Sequence, residues 1–336
     1  MQIVTVAPVF VKNLLAGATL RGFNAEEILR AQGLSPQILT NPKLRISTIA
    51  FAELCHAVTQ LLRDEAFGLL AKPQPFGSFK LLAQACLSTD TVRESLIAWR
   101  NGTNLLDSSL SASTTFTEEG GCLAFQCERR EGVDSHYIVE TVLTTAHRLH
   151  CWLANEFLPI ERVELAYPEP EFSEEYRLVF YGAPVRFNQK RNAIYFNHQT
   201  LALSCQRDKL ELRKLFERPH IQLLTQPKQS KSAHMRARLL MEHLFRDGHS
   251  NPQLTQVATA MGVTEQTLRR HLHKDGYSFQ QLKDDIRRDM AIFFINSKDQ
   301  SIEEIAFRLG FSEASTFIRA FKKWTGLTPL AYRKLS

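Results

Sequence analysis

The chain has 336 residues, 44% of them hydrophobic and 23% charged, with a formal net charge of +6. That length exceeds one ordinary core, so two or three domains are expected. No window approaches eighteen consecutive apolar residues, which excludes a membrane-spanning helix, and residues 1–10 lack the basic start and small-residue cleavage site of a signal peptide, so a cytoplasmic protein is expected.

The positive charge is unevenly placed. From residue 231 onward there are 17 Lys and Arg against 11 Asp and Glu, whereas residues 1–230 hold 24 of each. A neutral part joined to a basic part points to a sensor or scaffold attached to a binder of polyanions. All six cysteines lie in the neutral part and none forms a Cys-x-x-Cys pair; they read as reduced core thiols.

In chain order, residues 11–20, 25–31, 48–62 and 91–106 space their apolar side chains as helices do. Residues 109–117 and 122–127 alternate or carry β-branched and aromatic side chains around a turn at 118–121, which predicts a hairpin. Residues 135–157 read as one long helix, and 163–167, 185–187 and 193–196 as short strands. Together these make an α+β domain over residues 8–217. The many aromatics between Phe157 and Phe196 read chiefly as core. A polar stretch with two prolines over 218–234 reads as a linker. Beyond it every signal is helical, beginning with a helix whose face carries Met235, Leu239, Leu240 and Leu244 and which stops near Gly248.

Residues 235–334 contain a duplication. Leu254-Thr-Gln-Val257-Ala258 through Gly262, Thr264, Leu268 and Leu272 is matched 48 residues later by Ile302-Glu-Glu-Ile305-Ala306 through Gly310 and Ser312. The second copy then carries one extra residue, so Phe317 and Phe321 answer Leu268 and Leu272. In each copy a small residue lets two helices cross, a glycine ends the first helix, and a hydroxyl caps the second. Apolar residues four apart then pin that second helix to the core. This is helix-turn-helix construction, with units at about 253–273 and 301–324. Ser301-x-x-Glu304 and Ser278-x-x-Gln281 are capping boxes. Gln253 in place of a hydroxyl predicts a weaker start for the first unit. The intervening helix, 279–296, carries Leu282, Ile286, Met290 and Phe293 in one stripe. At about 27 Å it suits two reading helices in successive major grooves, which recur about every 34 Å. The C-terminal domain is therefore expected to be all-α, two helix-turn-helix units joined by a long helix.

The stretch Ile305-Ala306-x-x-x-Gly310-Phe311-x-x-x-x-x-Phe317-x-Arg319-x-Phe321-Lys322-x-x-x-Gly326-x-Thr328-Pro329-x-x-Tyr332-Arg333 resembles the signature of the AraC/XylS family of bacterial transcription regulators. Residues 8–217, with Tyr167-Pro168-Glu169-Pro170, Tyr181-Gly182-Ala183-Pro184 and Asn192-Ala193-Ile194-Tyr195-Phe196, are similar to the N-terminal effector domain of the subgroup that includes ornithine-utilisation regulators. They lack the succession of short strands of the arabinose regulator's sugar-binding domain. The resemblance implies a promoter-binding regulator, more often an activator, that senses a small molecule of unknown identity, forms a homodimer and contacts RNA polymerase.

On the first reading helix Gln266, Arg269, Arg270 and His273 are expected to face DNA. On the second, Ser315, Thr316 and Arg319 are. Arg is the natural reader of guanine and Gln of adenine, while Ser and Thr are permissive. Arg287, Lys322, Lys323 and Arg333 are candidates for phosphate contacts. No catalytic motif, cofactor or metal site is expected, and no membrane. Two rival readings remain: a metal or redox sensor built on His147, His150 and Cys151 with Cys122 and Cys127, and an enzyme carrying a DNA-binding domain.

Overall fold

The protein is described by a computed structural model over residues 5–224, 233–246, 251–275, 277–297 and 300–334. In chain order the elements are β1 (Thr5–Val6), α1 (Pro8–Leu20), α2 (Ala25–Ala31), β2 (Ile46–Ser47), α3 (Thr48–Leu62), α4 (Ser78–Leu87) and α5 (Val92–Leu105). They continue with β3 (Leu110–Phe116), β4 (Gly120–Cys127), α6 (Tyr137–Leu153), β5 (Arg162–Glu164), α7 (Tyr176–Val179), β6 (Val185–Arg186), β7 (Asn192–Asn197), α8 (His198–Leu201), α9 (Lys209–Glu217) and α10 (Pro219–Leu224). The remaining helices are α11 (Ala233–Arg246), α12 (Leu254–Ala260), α13 (Glu265–Lys274), α14 (Phe279–Ser297), α15 (Ile302–Arg308), α16 (Ala314–Thr325) and α17 (Pro329–Arg333).

The chain forms two compact bodies. One takes residues 12–28 and 52–228, the other residues 1–11, 29–51 and 229–336, each in its described parts. The first is α+β. Its sheet runs β3-β4-β7-β5-β6, antiparallel except for the β5–β6 pair. The register places Leu123 opposite Ile194 and Ile194 opposite Val163. All three are fully buried on the face that α6 covers. The edge strand β3 is protected by α5, because the Asn104 side chain donates to the Ala112 carbonyl (2.8 Å) and accepts from its N–H (2.7 Å). An edge paired this way offers no free amide there to another strand.

Two buried carboxylates organise this body. Asp64 accepts from the N–H groups of Ala66, Gly68 and Gln74 at 2.9–3.1 Å and pairs with Arg21 at 2.8 Å. Glu140, on α6, accepts from the hydroxyl groups of Tyr167 (3.1 Å) and Tyr176. Its second oxygen has no partner among the described residues. Burial pushes this carboxyl up to about 7, against the lowering effect of the two tyrosines. Phe180 and Phe187 pack on Tyr176, and the His136 ring stacks on Tyr167 at 4.1 Å. Of the aromatics expected as core, Tyr167, Tyr176, Phe180, Tyr181 and Phe196 are buried, whereas Phe157, Phe172, Phe187 and Tyr195 are half-buried.

Several expectations change in detail. The helix foreseen over 135–157 ends at Leu153, where the chain turns through Asn155 at φ 52°. Helices α4 and α9 were not foreseen. The first is capped from a distance: the Glu65 carboxylate accepts from the N–H groups of Gly77 (2.7 Å) and Phe79 (2.6 Å). Within the linker, Pro219–Leu224 is helical and His234 belongs to α11. Linker residues 225–232 and the stop at Gly248 lie outside the described residues.

In the second body, α14 is the central helix, with Leu282, Ile286, Met290, Ala291, Ile292 and Ile295 fully buried. The predicted stripe is correct except at Phe293, which is half-buried while Phe294 is buried. The inner face of α11 is also corrected: Met235, Arg238, Met241 and Phe245 are buried, whereas Leu239, Leu240 and Leu244 are half-exposed. A polar cluster explains why an arginine faces inward. Arg238 Nη2 lies 2.5 Å from Asp289 Oδ2 and its Nε 2.9 Å from Glu242. Thr5 donates to Asp289 (2.5 Å), and Arg45 donates to both the hydroxyl (2.7 Å) and the carbonyl (2.9 Å) of Thr5.

The short β1–β2 ribbon, with Thr5 opposite Ser47, therefore belongs to the helical body. Tyr332 on α17 donates to the Arg45 carbonyl, and Asn41 donates to the Thr325 carbonyl at 3.2 Å. Division of the chain at 218–234 alone leaves this N-terminal contribution out. The reason is electrostatic: a carboxylate and a guanidinium sealed from water need every available partner.

Candidate nucleic-acid interface

The two helix-turn-helix units are built alike. Gly262 (φ 71°) and Gly310 (φ 78°) both sit in the left-handed region that only glycine enters cheaply. Across each turn the next residue bonds back five positions, Val263 N–H to the Ala258 carbonyl and Phe311 N–H to the Ala306 carbonyl, both at 3.0 Å. This closure satisfies carbonyls that a helix end leaves open. Ala258 and Ala306 are buried at the crossing.

The entries to the reading helices differ. Thr264 caps α13 by accepting from Thr267 N–H at 3.2 Å. The matching role expected of Ser312 is not found. Glu313 occupies the cap position of α16 and makes no side-chain cap bond. The extra residue of the second copy displaces the hydroxyl by one position. The first unit's start carries a partial substitute for a hydroxyl cap: Gln256 accepts from the Gln253 N–H at 2.9 Å. Both foreseen capping boxes form, at Ser301/Glu304 and Ser278/Gln281.

Each reading helix buries one side and exposes the other. Leu268 and Leu272 on α13, and Phe317 and Phe321 on α16, are fully buried. On α13 Gln266, Arg269, Arg270 and His273 are all exposed. On α16 Ser315, Thr316, Arg319, Lys322 and Lys323 are exposed, while Ala314 and Ile318 are half-buried. Among the described residues only a 3.9 Å approach to Glu265 engages Arg269, so this guanidinium keeps its reach.

The remaining two candidates have partners within the protein. Arg287 is half-buried over the Phe311 ring (5.0 Å) and donates to Asn251 (3.3 Å) and the Gly310 carbonyl (3.4 Å). Burial lowers its pKa, with Asp284 opposing. Arg333 donates to the Gln300 carbonyl at 2.7 Å. Both brace a turn of the second unit or the approach to it. Asn251, missed in the sequence, also accepts from Lys283.

The residues of the metal-sensor reading are only partly brought together. Cys151 Sγ lies 3.5 Å from His147 Nε2, but that nitrogen is 2.8 Å from the Leu158 carbonyl, and the thiol accepts from Leu158 N–H at 3.3 Å. His150 is tied to the Ala146 carbonyl (2.7 Å) and packs against Trp99. Among the described residues no group of three or more His, Cys, Asp or Glu side chains is placed to hold a metal ion, and no helix is long and apolar enough to cross a membrane.

Two inward-anchored helices with exposed basic and amide side chains, each after a glycine turn, define a helix-turn-helix DNA-binding protein. Residues 22–205 match the family described as the arabinose-binding N-terminal domain of the AraC transcription regulator, and residues 257–335 match a helix-turn-helix domain family. The chain belongs to the AraC family of transcription regulators. It is 27% identical over 314 residues to the ornithine utilization regulator of Pseudomonas aeruginosa, covering 93% of this chain and 91% of that protein. The urease operon transcriptional activator of Escherichia coli is 39% identical over 80 residues, covering 24% of this chain and 27% of that protein. Among solved structures, the transcriptional regulator CdpR of Pseudomonas aeruginosa is similar at 20% identity and a TM-score of 0.33, with 97% of each chain covered. The similarity to an ornithine utilization regulator expected from the sequence is thus found. The contrast with the arabinose regulator is narrower than expected, since its N-terminal family model matches this chain as well.

Proposed function

We propose that the protein binds a specific promoter site through α13 and α16 and that a small-molecule effector, bound by the α+β body, controls it. The observation that carries the reading is the pairing of two glycine-ended turns with two helices exposing Gln266, Arg269, Arg270 and His273, and Ser315, Thr316, Arg319, Lys322 and Lys323. The first helix supplies base-reading hydrogen bonds and the second supplies permissive contacts and charge. The 19-residue α14, about 28 Å long, holds them at a spacing suited to successive major grooves. Lys322 and Lys323 act on phosphates, while Arg287 and Arg333 act chiefly by shaping the second unit.

The protein acts in the cytoplasm as a homodimer and an activator that contacts RNA polymerase, and it is not an enzyme. Similarity to named regulators and activators supports this part of the reading. The test is to sequence genomic fragments retained by the full-length protein. A shared motif with two half-sites about one helical turn apart is expected. Fragments with no common sequence would remove the claim of a specific operator.

A further inference from the structure

One face of the five-stranded sheet is covered by α6, and the other carries a cleft of about 440 Å³ lined by β3, β4, β5 and β7. Pockets for small ligands run from roughly 300 to 1,000 Å³, so this one suits a small metabolite. The strand register places Thr115, Cys122, Tyr195 and Arg162 in one row across this face. The small side chains of Thr115 and Cys122 leave room above β3 and β4.

Two guanidinium groups meet at Tyr195. Arg162 stacks on its ring at 3.5 Å, and Arg191 donates through Nε to its hydroxyl at 3.1 Å. That hydroxyl in turn donates to Glu164 at 2.5 Å, and Glu164 accepts from Arg162 Nε at 3.0 Å. Each arginine is thus oriented by a bond to Nε, Arg162 is also hydrogen-bonded to Tyr195, and among the described residues no hydrogen bond engages the terminal nitrogens of Arg191. Fixed guanidinium forks with free ends are built to take a carboxylate. Two residues further along β7, about 7 Å away, the cleft turns acidic. Glu119 and Glu161 are exposed there, and the Asn197 amide holds Glu161 at 2.8 Å. Cations at one end and carboxylates at the other suit a ligand that carries both charges.

We infer that this cleft is the effector site and that its ligand is a free amino acid, with the carboxylate on Arg162 and Arg191 and the ammonium on Glu161 and Glu119. The inference rests on the reading of this body as the effector-binding part. The test uses the full-length protein, thermal unfolding and calorimetric titration, and three sets of probes: the free L-amino acids, the amines they give on decarboxylation, and the corresponding 2-oxo acids. A subset of the amino acids is expected to stabilise the protein, and neither single-charge analogue of those members should do so. Arg191→Ala and Glu161→Gln should each weaken binding by roughly thirtyfold or more, with circular dichroism unchanged.

Three results would overturn the inference: no probe binding, oxo acids binding as well as amino acids, or binding that survives both substitutions. A change of sedimentation in the variants without any ligand effect would instead make this face an interface between copies, and overturns it too. Gel shifts of retained genomic fragments, run without effector, report on the DNA reading separately. Intact DNA binding with no amino-acid binding removes this inference alone.

Discussion

Arg238 and Asp289 meet at 2.5 Å with side chains no more than 1% exposed, and β1 and β2, far away in sequence, bring Thr5 and Arg45 to the same cluster. The basic helical body is therefore completed by the chain's beginning. Removing one member of a buried pair leaves an uncompensated charge, at a cost of about 3–5 kcal/mol. Asp289→Ala is expected to lower the unfolding free energy of the helical body by that amount, read in urea titrations. A fragment starting at residue 233 should be less stable than one that also carries residues 1–51, supplied as a peptide. Equal stability would dismiss the ribbon as a structural part.

The pH dependence of the same cluster has a definite sign. Burial alone would raise the Asp289 carboxyl, but Arg288, Arg238 and Arg45 outweigh it and hold the group below the ordinary 3.8. Its contribution is complete above that value and is lost as pH falls through the lower folded-state value. Acid unfolding of Asp289→Asn should therefore be less steep below about pH 4 than that of the parent.

Glu140 behaves in the opposite way. Its pKa rises to about 7 from 4.5, because burial outweighs the tyrosine hydrogen bonds. Between those values the folded state keeps a proton that the unfolded state releases. Stability from this group is complete below 4.5 and declines as pH rises to about 7, by on the order of 3 kcal/mol. His220 acts the other way, since burial lowers it to about 4 and its share of stability grows as pH rises to 6.5. Urea titrations across this range should therefore show the Glu140 decline as the difference between the parent and Glu140→Gln.

The caps of the two reading helices separate by mutation. Thr264→Ala should cost about 1 kcal/mol, as loss of a helix cap usually does. Ser312→Ala should cost almost nothing, because Glu313 holds the cap position. Equal losses in thermal unfolding would restore the serine to the role its alignment suggested.

At the interface, Arg269→Ala should weaken promoter binding by about 1–3 kcal/mol and relax sequence preference. Lys322→Ala should weaken all duplexes alike and reduce the salt dependence by about one charge. Gel-shift titrations at several salt concentrations check both. Arg333→Ala should act mainly on stability, through the lost bond to Gln300, with little change in the salt slope.

Helices, turns and reading faces in the last hundred residues were legible because their causes are local. A glycine four positions after a buried alanine, or Ser301 three before Glu304, decides its geometry within one turn of chain. Helix α9 carries a local cause of the same kind, the capping box of Asp208 and Glu211. Helix α4 was not legible, because its cap comes from Glu65 across a loop.

Local sequence thus determined the duplicated units, the exposure of Arg269 and Arg319, and the burial of Phe317 and Phe321. Long-range packing decided the rest. It turned Arg238 inward, drew Thr5 and Arg45 to Asp289, withdrew Arg287 and Arg333 from the solvent face, and joined Arg162 and Glu164 of β5 to Tyr195 of β7. The reason is that hydrogen-bonding and charge demands of buried groups are met by whichever partners the fold brings near, and sequence spacing carries no record of those meetings.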